Sequence, residues 1–445
     1  MGREYAALIL ERALTIRQPP RLAHSMRNGF CVLWLILVVG VTAMLAVGGR
    51  PDPAGLGQVL DGPWRFHAGD NAGWADPATH DRDWDRISLV SRPEVHDGDV
   101  GIPGYLDGWR ARGHPDLDGY GWYRRQVTLP QQGDAVLVGP PAVGDGYEMF
   151  WDGHRIGGIG LLAGSHTVSA TRPALMRIPV SGGKHTALLA IRAFMQPGID
   201  RDGQSGGLRT VPVLASRAEG EALYRGQWRR TIAGYVVDAV EPVAMLLLAL
   251  AAAFAAPALA RPGFARSTAV ALVISACLRL GNAMLAWTDL LSLPALLWLS
   301  GVILTPMAKL AWTIAWNQWA DGRSRRLISL GAVAAWTILV AAALTRNQLL
   351  AEAGRAVFAL LLAAIAFRIG RNGEHRLLAL AAMLLVATGL FAGDLSTLGI
   401  PGIWFPFNIG VSRSQYAYAL ALPLLAFALF AGDGALNDRS LRPAS

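Results

Sequence analysis

The sequence predicts a β-sandwich followed by an all-α bundle of seven transmembrane helices. Two observations carry this. Seven apolar segments follow one another between Ala233 and Phe430, each near the roughly 20 residues that a helix needs to cross a bilayer about 30 Å thick. Ahead of them, residues 51–230 form a polar block of short alternating runs broken by Gly, Pro and Asp, the pattern of a β domain.

Charge separates the two parts. The chain of 445 residues is 53% hydrophobic and 16% charged, with a formal charge of +8. Residues 51–230 hold 19 Lys plus Arg against 21 Asp plus Glu, so the excess positive charge lies at the termini and in the loops between apolar segments. That placement fits membrane topology and a lipid partner, and excludes nucleic acid as the reason for the basic balance. Only Cys31 and Cys277 occur, both in apolar runs. The polar block therefore has no disulfide or Cys-based metal site and depends on its own apolar core. No cofactor motif stands out.

Taken in order, residues 1–50 hold a basic leader and the apolar run Phe30–Val47. Two readings of this run stay open: an anchor helix, or a signal peptide cut near Ala46-Val47-Gly48. Met26 offers an alternative start. Residues 51–218 are the expected β domain, with strands over Trp64–His67, Trp122–Leu129, Ala135–Gly139, Tyr147–Trp151, Leu175–Pro179 and His185–Phe194. Asp152-Gly153 is a tight-turn signal. Residues 219–232, with Arg225, Arg229 and Arg230, form a coupling segment. The spans over 233–431 are expected at 233–256, 267–287, 294–316, 327–345, 354–368, 377–393 and 411–431, ahead of a short tail, 432–445.

Ten arginines (Arg261, Arg266, Arg323, Arg325, Arg326, Arg368, Arg371, Arg376, Arg439 and Arg442) fall on one side of this arrangement. Arg346, Arg355 and Arg413 fall on the other. By the positive-inside rule the N-terminus and tail are cytoplasmic and the β domain is outside.

A motif series gives the β domain a resemblance. Asp61-Gly62-Pro63-Trp64-Arg65-Phe66, Gly69-Asp70, Trp74-Ala75-Asp76-Pro77 and Asp83-Trp84 come first. Gly121-Trp122-Tyr123-Arg124-Arg125, Leu129-Pro130, Trp151-Asp152-Gly153 with Ile156-Gly157, and Leu189-Ala190-Ile191-Arg192 follow. This order, over residues 58–195, resembles the sugar-binding jelly roll of family 2 glycoside hydrolases, which implies a galactose-binding-like fold and a carbohydrate ligand. The catalytic barrel of those enzymes has no counterpart, so the chain is not expected to be an enzyme. The whole layout resembles seven-transmembrane receptors with diverse intracellular signalling modules. Their output domain is missing here, so the resemblance implies signalling through a separate cytoplasmic protein. An accessory role in envelope polysaccharide assembly or transport is the alternative.

The stretch Ser91–Gly121 reads as a long irregular loop, a common place for function. It offers Trp109, Arg110, His114, Asp116, Asp118 and Tyr120 as a ligand rim. Asp116-Leu117-Asp118-Gly119 and Asp200-Arg201-Asp202-Gly203 resemble the start of a calcium loop but lack its twelfth-position Glu, Val127 and Val211 standing there. Gly203-Gln204-Ser205-Gly206-Gly207 lacks the strand and helix of a nucleophile elbow. The histidines, among them His166 and His185, show no metal spacing.

Charges inside the apolar segments are costly and therefore informative. Asp238 and Glu241 share a helix face three residues apart, and Arg279 lies at matching depth in the next segment. Glu241 and Arg279 are expected to pair. Lys309, about two turns from the inner end of its segment, is expected to snorkel inward.

Overall fold

The computed structural model describes residues 20–51, 55–90, 92, 94–97, 101–129, 134–160, 172–179, 186–197, 205–320, 322, 324–371 and 375–430. The leader's first 19 residues, Ser91, His166, His185, the Asp200–Gly203 stretch with Gln204, and the tail 432–445 lie outside the described residues.

Two antiparallel sheets make up the polar block. The larger holds β2 (Gly62–Ala68), β3 (Asp85–Leu89), β4 (Gly119–Thr128), β6 (Gly146–Trp151), β7 (His154–Ile159) and β9 (Thr186–Met195), in the order β3-β2-β4-β9-β6-β7. The smaller runs β1-β10-β5-β8, from β1 (Gln58–Val59), β5 (Ala135–Val138), β8 (Leu175–Arg177) and β10 (Val213–Ser216). Asp152 and Gly153 both take positive φ, 46° and 83°, as a two-residue hairpin between β6 and β7 requires.

Alternation along β4 sorts its side chains. Tyr123 and Val127 face inward, into a core shared with Trp64, Phe66, Leu137, Tyr147, Ile191 and Leu214. Both sheets contribute to this core. Trp122 and Arg124 point the other way and are nevertheless buried, because the segment around Ala72–Trp84 folds over that face. Trp122 stacks on Phe150 at 5.4 Å. Arg124 donates to the carbonyls of Thr79 (2.8 Å) and Asp76 (2.9 Å) and sits 5.3 Å over Trp84. Burial lowers this guanidinium's pKa, against the pull of Asp81 and Asp76.

Helix α1 (Pro20–Gly48) precedes the sheets, and α2 (Arg217–Ala255) grows directly from β10. A capping box starts α2: Ser216 and Glu219 satisfy each other's backbone N–H. Next come α3 (Pro262–Trp287) and α4 (Leu293–Trp298). A π-helical stretch, Leu299–Leu304, joins α4 to α5 (Thr305–Trp319). Then follow α6 (Arg325–Thr345), α7 (Gln348–Arg371), α8 (Arg376–Leu390) and the short α9 (Ala392–Thr397). A two-residue hairpin pair, β11 (Ile403–Trp404) with β12 (Val411–Ser412), leads into α10 (Arg413–Phe430).

Among the described residues, six helices are long and apolar enough to cross a membrane: Ala23–Gly48, Arg217–Ala258, Pro262–Trp287, Leu293–Trp319, Arg325–Thr345 and Gln348–Arg371. The segments expected at 377–393 and 411–431 form shorter helices, of 15 and 18 residues. The first apolar run is built into the bundle. Phe30 and Trp34 belong to its main core, Trp34 Nε1 donates to the Ala419 carbonyl at 3.1 Å, and Gly48 meets Ala233 so closely that an added Cβ would lie 2.0 Å from the Ala233 methyl. The proposed cleavage point therefore sits within the last turn of a packed helix.

Candidate functional site

The residues of the expected loop rim do not form one. Trp109 begins a single 3-10 turn, Trp109–Arg112, and is fully buried. Its Nε1 donates to the Leu117 carbonyl at 3.0 Å, and its ring lies 5.9 Å from Phe66. Gly206, at φ 92°, presses on it so closely that a Cβ would stand 2.2 Å from Nε1. The indole thus closes the sandwich edge, since burying its large apolar body is worth more than a solvent contact. Arg110 is tied to Asp118 at 2.6 Å. His114 packs on Phe66 at 4.7 Å with Nε2 3.4 Å from Asp85. Asp116 alone of the six is well exposed.

Tyr120 belongs to a different group, on the outer face of the larger sheet. Arg192 lies 4.3 Å over its ring and joins Asp70 to Glu148, the latter at 2.9 Å. Glu148 also receives Arg155 at 2.8 Å. Burial by itself would lower the Arg192 pKa, but its hydrogen bonds to Asp70 and Glu148 raise it. Burial likewise raises the Tyr120 phenol, with Arg192 opposing. No signal in the sequence linked Asp70, Glu148 and Arg192, which come from three separate stretches. The Tyr120 and Phe194 rings pack 4.7 Å apart, tilted by 49°, and Phe194 rests on Leu293 at the start of α4.

Leu293 also lines a chamber of about 620 Å³ between the helices. Its polar wall brings together Asp238 and Tyr235 from α2, Ser275, Arg279 and Asn282 from α3, and Gln415 and Tyr418 from α10. Arg279 Nη1 lies 2.8 Å from Glu241 Oε2 and 3.5 Å from Asp238 Oδ1, and the guanidinium sits 4.9 Å over Tyr418. All three charged residues are buried. The i, i+3 spacing on α2 turns both carboxylates toward α3, which runs antiparallel beside it. Asn282 and Gln415 also hydrogen-bond Asp238. Among the described residues, neither carboxylate oxygen of Glu241 accepts a well-directed hydrogen bond, and Arg279 is its counterion.

Interrupted backbone surrounds this chamber. Pro242 follows Glu241 within α2, so the Asp238 carbonyl loses its i+4 donor. The π stretch supplies Ser300 to the wall, and α8 stops at Leu390, also in the wall. π segments and broken helices at membrane depth are tolerated where they line a cavity. Beyond α8, Ser412 and Gln415 cap α10 reciprocally, at 2.6 Å and 3.3 Å. Arg413 is buried, donating to the carbonyls of Ala392 (2.8 Å), Pro401 (3.1 Å) and Ile400. It staples the segment that closes the chamber.

Lys309 departs from expectation. It is 3% exposed, and its ammonium bonds the Leu390 carbonyl and sits 3.6 Å over Phe391. It shares a pocket with the α6–α7 turn, at the end of the bundle that carries the sheets. The open carbonyls where α8 stops hold the cation there. Among the described residues, no group of three or more His, Cys, Asp or Glu is placed to hold a metal ion.

The chain matches no known family model and no curated protein. Solved structures similar to part of it are family 2 β-glucuronidases and related glycosidases. A β-glucuronidase of Bacteroides uniformis shares 23% identity over 35% of this chain and 17% of its own, with a TM-score of 0.26. A β-glucuronidase described as belonging to glycoside hydrolase family 2 shares 16% over 36% and 17%, also at 0.26. A β-glycosidase of Bacteroides vulgatus shares 17% over 36% and 20%, again at 0.26. The chain thus spans a fifth or less of the length of these enzymes.

Proposed function

We propose that this chain is a receptor-like protein of a bacterial inner membrane. Its sheets lie in the periplasm, where a carbohydrate or other small polar ligand biases the helices below. The single observation that carries this reading is Leu293. It packs against Phe194 of the larger sheet, which also carries Tyr120, and it lines the chamber that holds Asp238 and Arg279. A ligand that shifts Tyr120 or Arg192 shifts Leu293, and so has a direct route to the charged triad.

Further contacts support the coupling. Arg230, on α2, donates to the Gly101 carbonyl at 2.9 Å, and His96 packs 4.2 Å from Phe405 in the segment closing the chamber. The motif resemblance of residues 58–195 supports a carbohydrate as the ligand. A jelly roll followed by seven crossings (α2, α3, α4–α5, α6, α7, α8 and α10) is the architecture this reading requires, with α1 as an eighth. A ligand moves such an equilibrium only by binding its two states unequally. The output passes to a separate cytoplasmic protein, and no catalysis by this chain is involved.

The test uses full-length protein in detergent, screened for thermal stabilisation by mono- and oligosaccharides. At least one sugar should raise the midpoint, and Arg192→Gln should abolish that rise. No shift with any sugar would refute the carbohydrate ligand. Orientation is read separately: a cysteine placed at exposed Asp116 should react with a membrane-impermeant maleimide on intact spheroplasts. Reaction only after lysis would refute the periplasmic placement.

A further inference from the structure

We propose that the pocket holding Lys309 binds a phosphate group, a function separate from that of the triad chamber. Its volume is about 280 Å³, and it lies between the π stretch, the end of α6 and the start of α7. Three cations line it, Lys309, Arg346 and Arg355. The carboxylate paired with this group is Asp394, 2.7 Å from Arg355.

Four features converge on an anion. Lys309 is almost fully buried, yet its ammonium forms no ion pair among the described residues and has the Leu390 carbonyl as its hydrogen-bond acceptor. A lysine carries three donors, so further N–H groups remain for a ligand. A buried charge at membrane depth is costly, and the Leu390 carbonyl and the Phe391 ring offset only part of that cost. Arg346, in the left-handed conformation at φ 52° that ends α6, is exposed, lines the pocket and has no ion pair among the described residues.

The fourth feature is the beginning of α7. Asn347 Oδ1 caps Leu350 N at 3.1 Å, which leaves the N–H groups of Gln348 and Leu349 at the start of a 24-residue helix. Helix N-termini carry partial positive charge and favour phosphate oxygens. Guanidinium and ammonium donors around a tetrahedral oxyanion form charge-assisted hydrogen bonds. Leu339, Ala342, Ala343 and Pro306 give the pocket an apolar side, beside the hydroxyl-bearing Thr305, so it accepts a phosphate with an apolar or ester substituent. A free phosphate ester and a phospholipid headgroup share this chemistry.

The test titrates detergent-purified full-length protein, stripped of lipid, with inorganic phosphate at constant ionic strength set by chloride, and follows thermal stability. A second arm reconstitutes it into nanodiscs of phosphatidylcholine with or without phosphatidylglycerol, and measures lipid phosphorus retained on re-extraction. Wild type should be stabilised by phosphate, retain phosphatidylglycerol, or both. The phosphate arm identifies a soluble source, and the nanodisc arm alone identifies a lipid source. Lys309→Gln should weaken the effect tenfold or more, and exposed Arg346→Gln, which leaves the buried packing intact, several-fold. An unchanged response in Arg346→Gln and any folded Lys309→Gln protein, or no response in either arm, would overturn the assignment.

Discussion

Replacing Arg279 should damage the protein far more than replacing either acid it holds. Arg279 is the one cation of the triad, 2.8 Å from Glu241 and 3.5 Å from Asp238. Arg279→Gln leaves two buried carboxylates facing each other with no counterion. Removing one partner of a buried ion pair costs about 3–5 kcal/mol. With about 2–4 °C lost per kcal/mol in a domain of this size, the thermal midpoint should fall by on the order of 10 °C. Glu241→Gln, by contrast, leaves Asp238 and Arg279 balanced one to one and removes a side chain with no well-directed hydrogen bond. Its cost should stay at about 1 kcal/mol, the ordinary size of a single-substitution effect, because Asp238 remains as the counterion of Arg279. The charge exchange Glu241→Arg with Arg279→Glu should recover part of the loss seen in Arg279→Gln. Thermal unfolding of detergent-purified variants, followed by tryptophan fluorescence, measures all four proteins. Arg279→Gln within about 2 °C of wild type, or Glu241→Gln falling as far as Arg279→Gln, would refute the electrostatic origin of this stability.

Four further outcomes follow from the packing. Tyr147 is buried, and among the described residues its hydroxyl has no hydrogen-bond partner, so Tyr147→Phe should be neutral or stabilise by up to about 1 kcal/mol in denaturant titration; Tyr123→Phe, which loses the bond accepted from Leu208 N, should destabilise instead. Burial raises both phenols' pKa values, so the unfolded chain releases these protons first. Stability should be full below about pH 10, the ordinary phenol value, and fall as the pH rises above it; a flat profile through that range would contradict the burial. Trp109→Ala should cost about 3–5 kcal/mol as a core deletion, and near-wild-type stability would return Trp109 to the surface role the sequence offered. Gly48→Leu should pry α1 from α2 and lower the midpoint, whereas an unchanged midpoint would mean that α1 is not part of the bundle.

The sequence made the larger divisions visible for physical reasons. Apolar runs near 20 residues have few alternatives to a helix in lipid, and Trp122–Leu129 or Tyr147–Trp151 alternate as half-buried strands do. The triad was also within reach, because helical geometry puts residues three apart on one face and antiparallel neighbours can be matched by depth. What alternation could not show was a second covering layer. Trp122 is as buried as Tyr123 although it faces the other way, since residues 72–84 fold over it. Trp109 misled for a related reason: an aromatic ring in a Gly- and Asp-rich stretch looks available, and only Gly206 folding down from a distant segment shows that it is sealed. The direction of Lys309 depended on where α8 stops, which hydropathy placed three residues too late. The chamber itself arises where α2, α3, α4, α5, α8 and α10 meet, and no local pattern encodes it.

Helix α2 has one further consequence. It runs for 39 residues without a break in assignment, about 58 Å at 1.5 Å per residue. Its first turn is jammed against the smaller sheet, where a Cβ on Gly220 would stand 2.3 Å from Val136. Such a rod behaves as a tiller, held firmly at one end and weakened at one place, Pro242. From there to Ala255 is about 20 Å, so a swing of about 5° at the weak point would sweep the far tip by nearly 2 Å. Glu241 sits beside that pivot, which gives the Arg279 contact leverage over motion at the opposite membrane face.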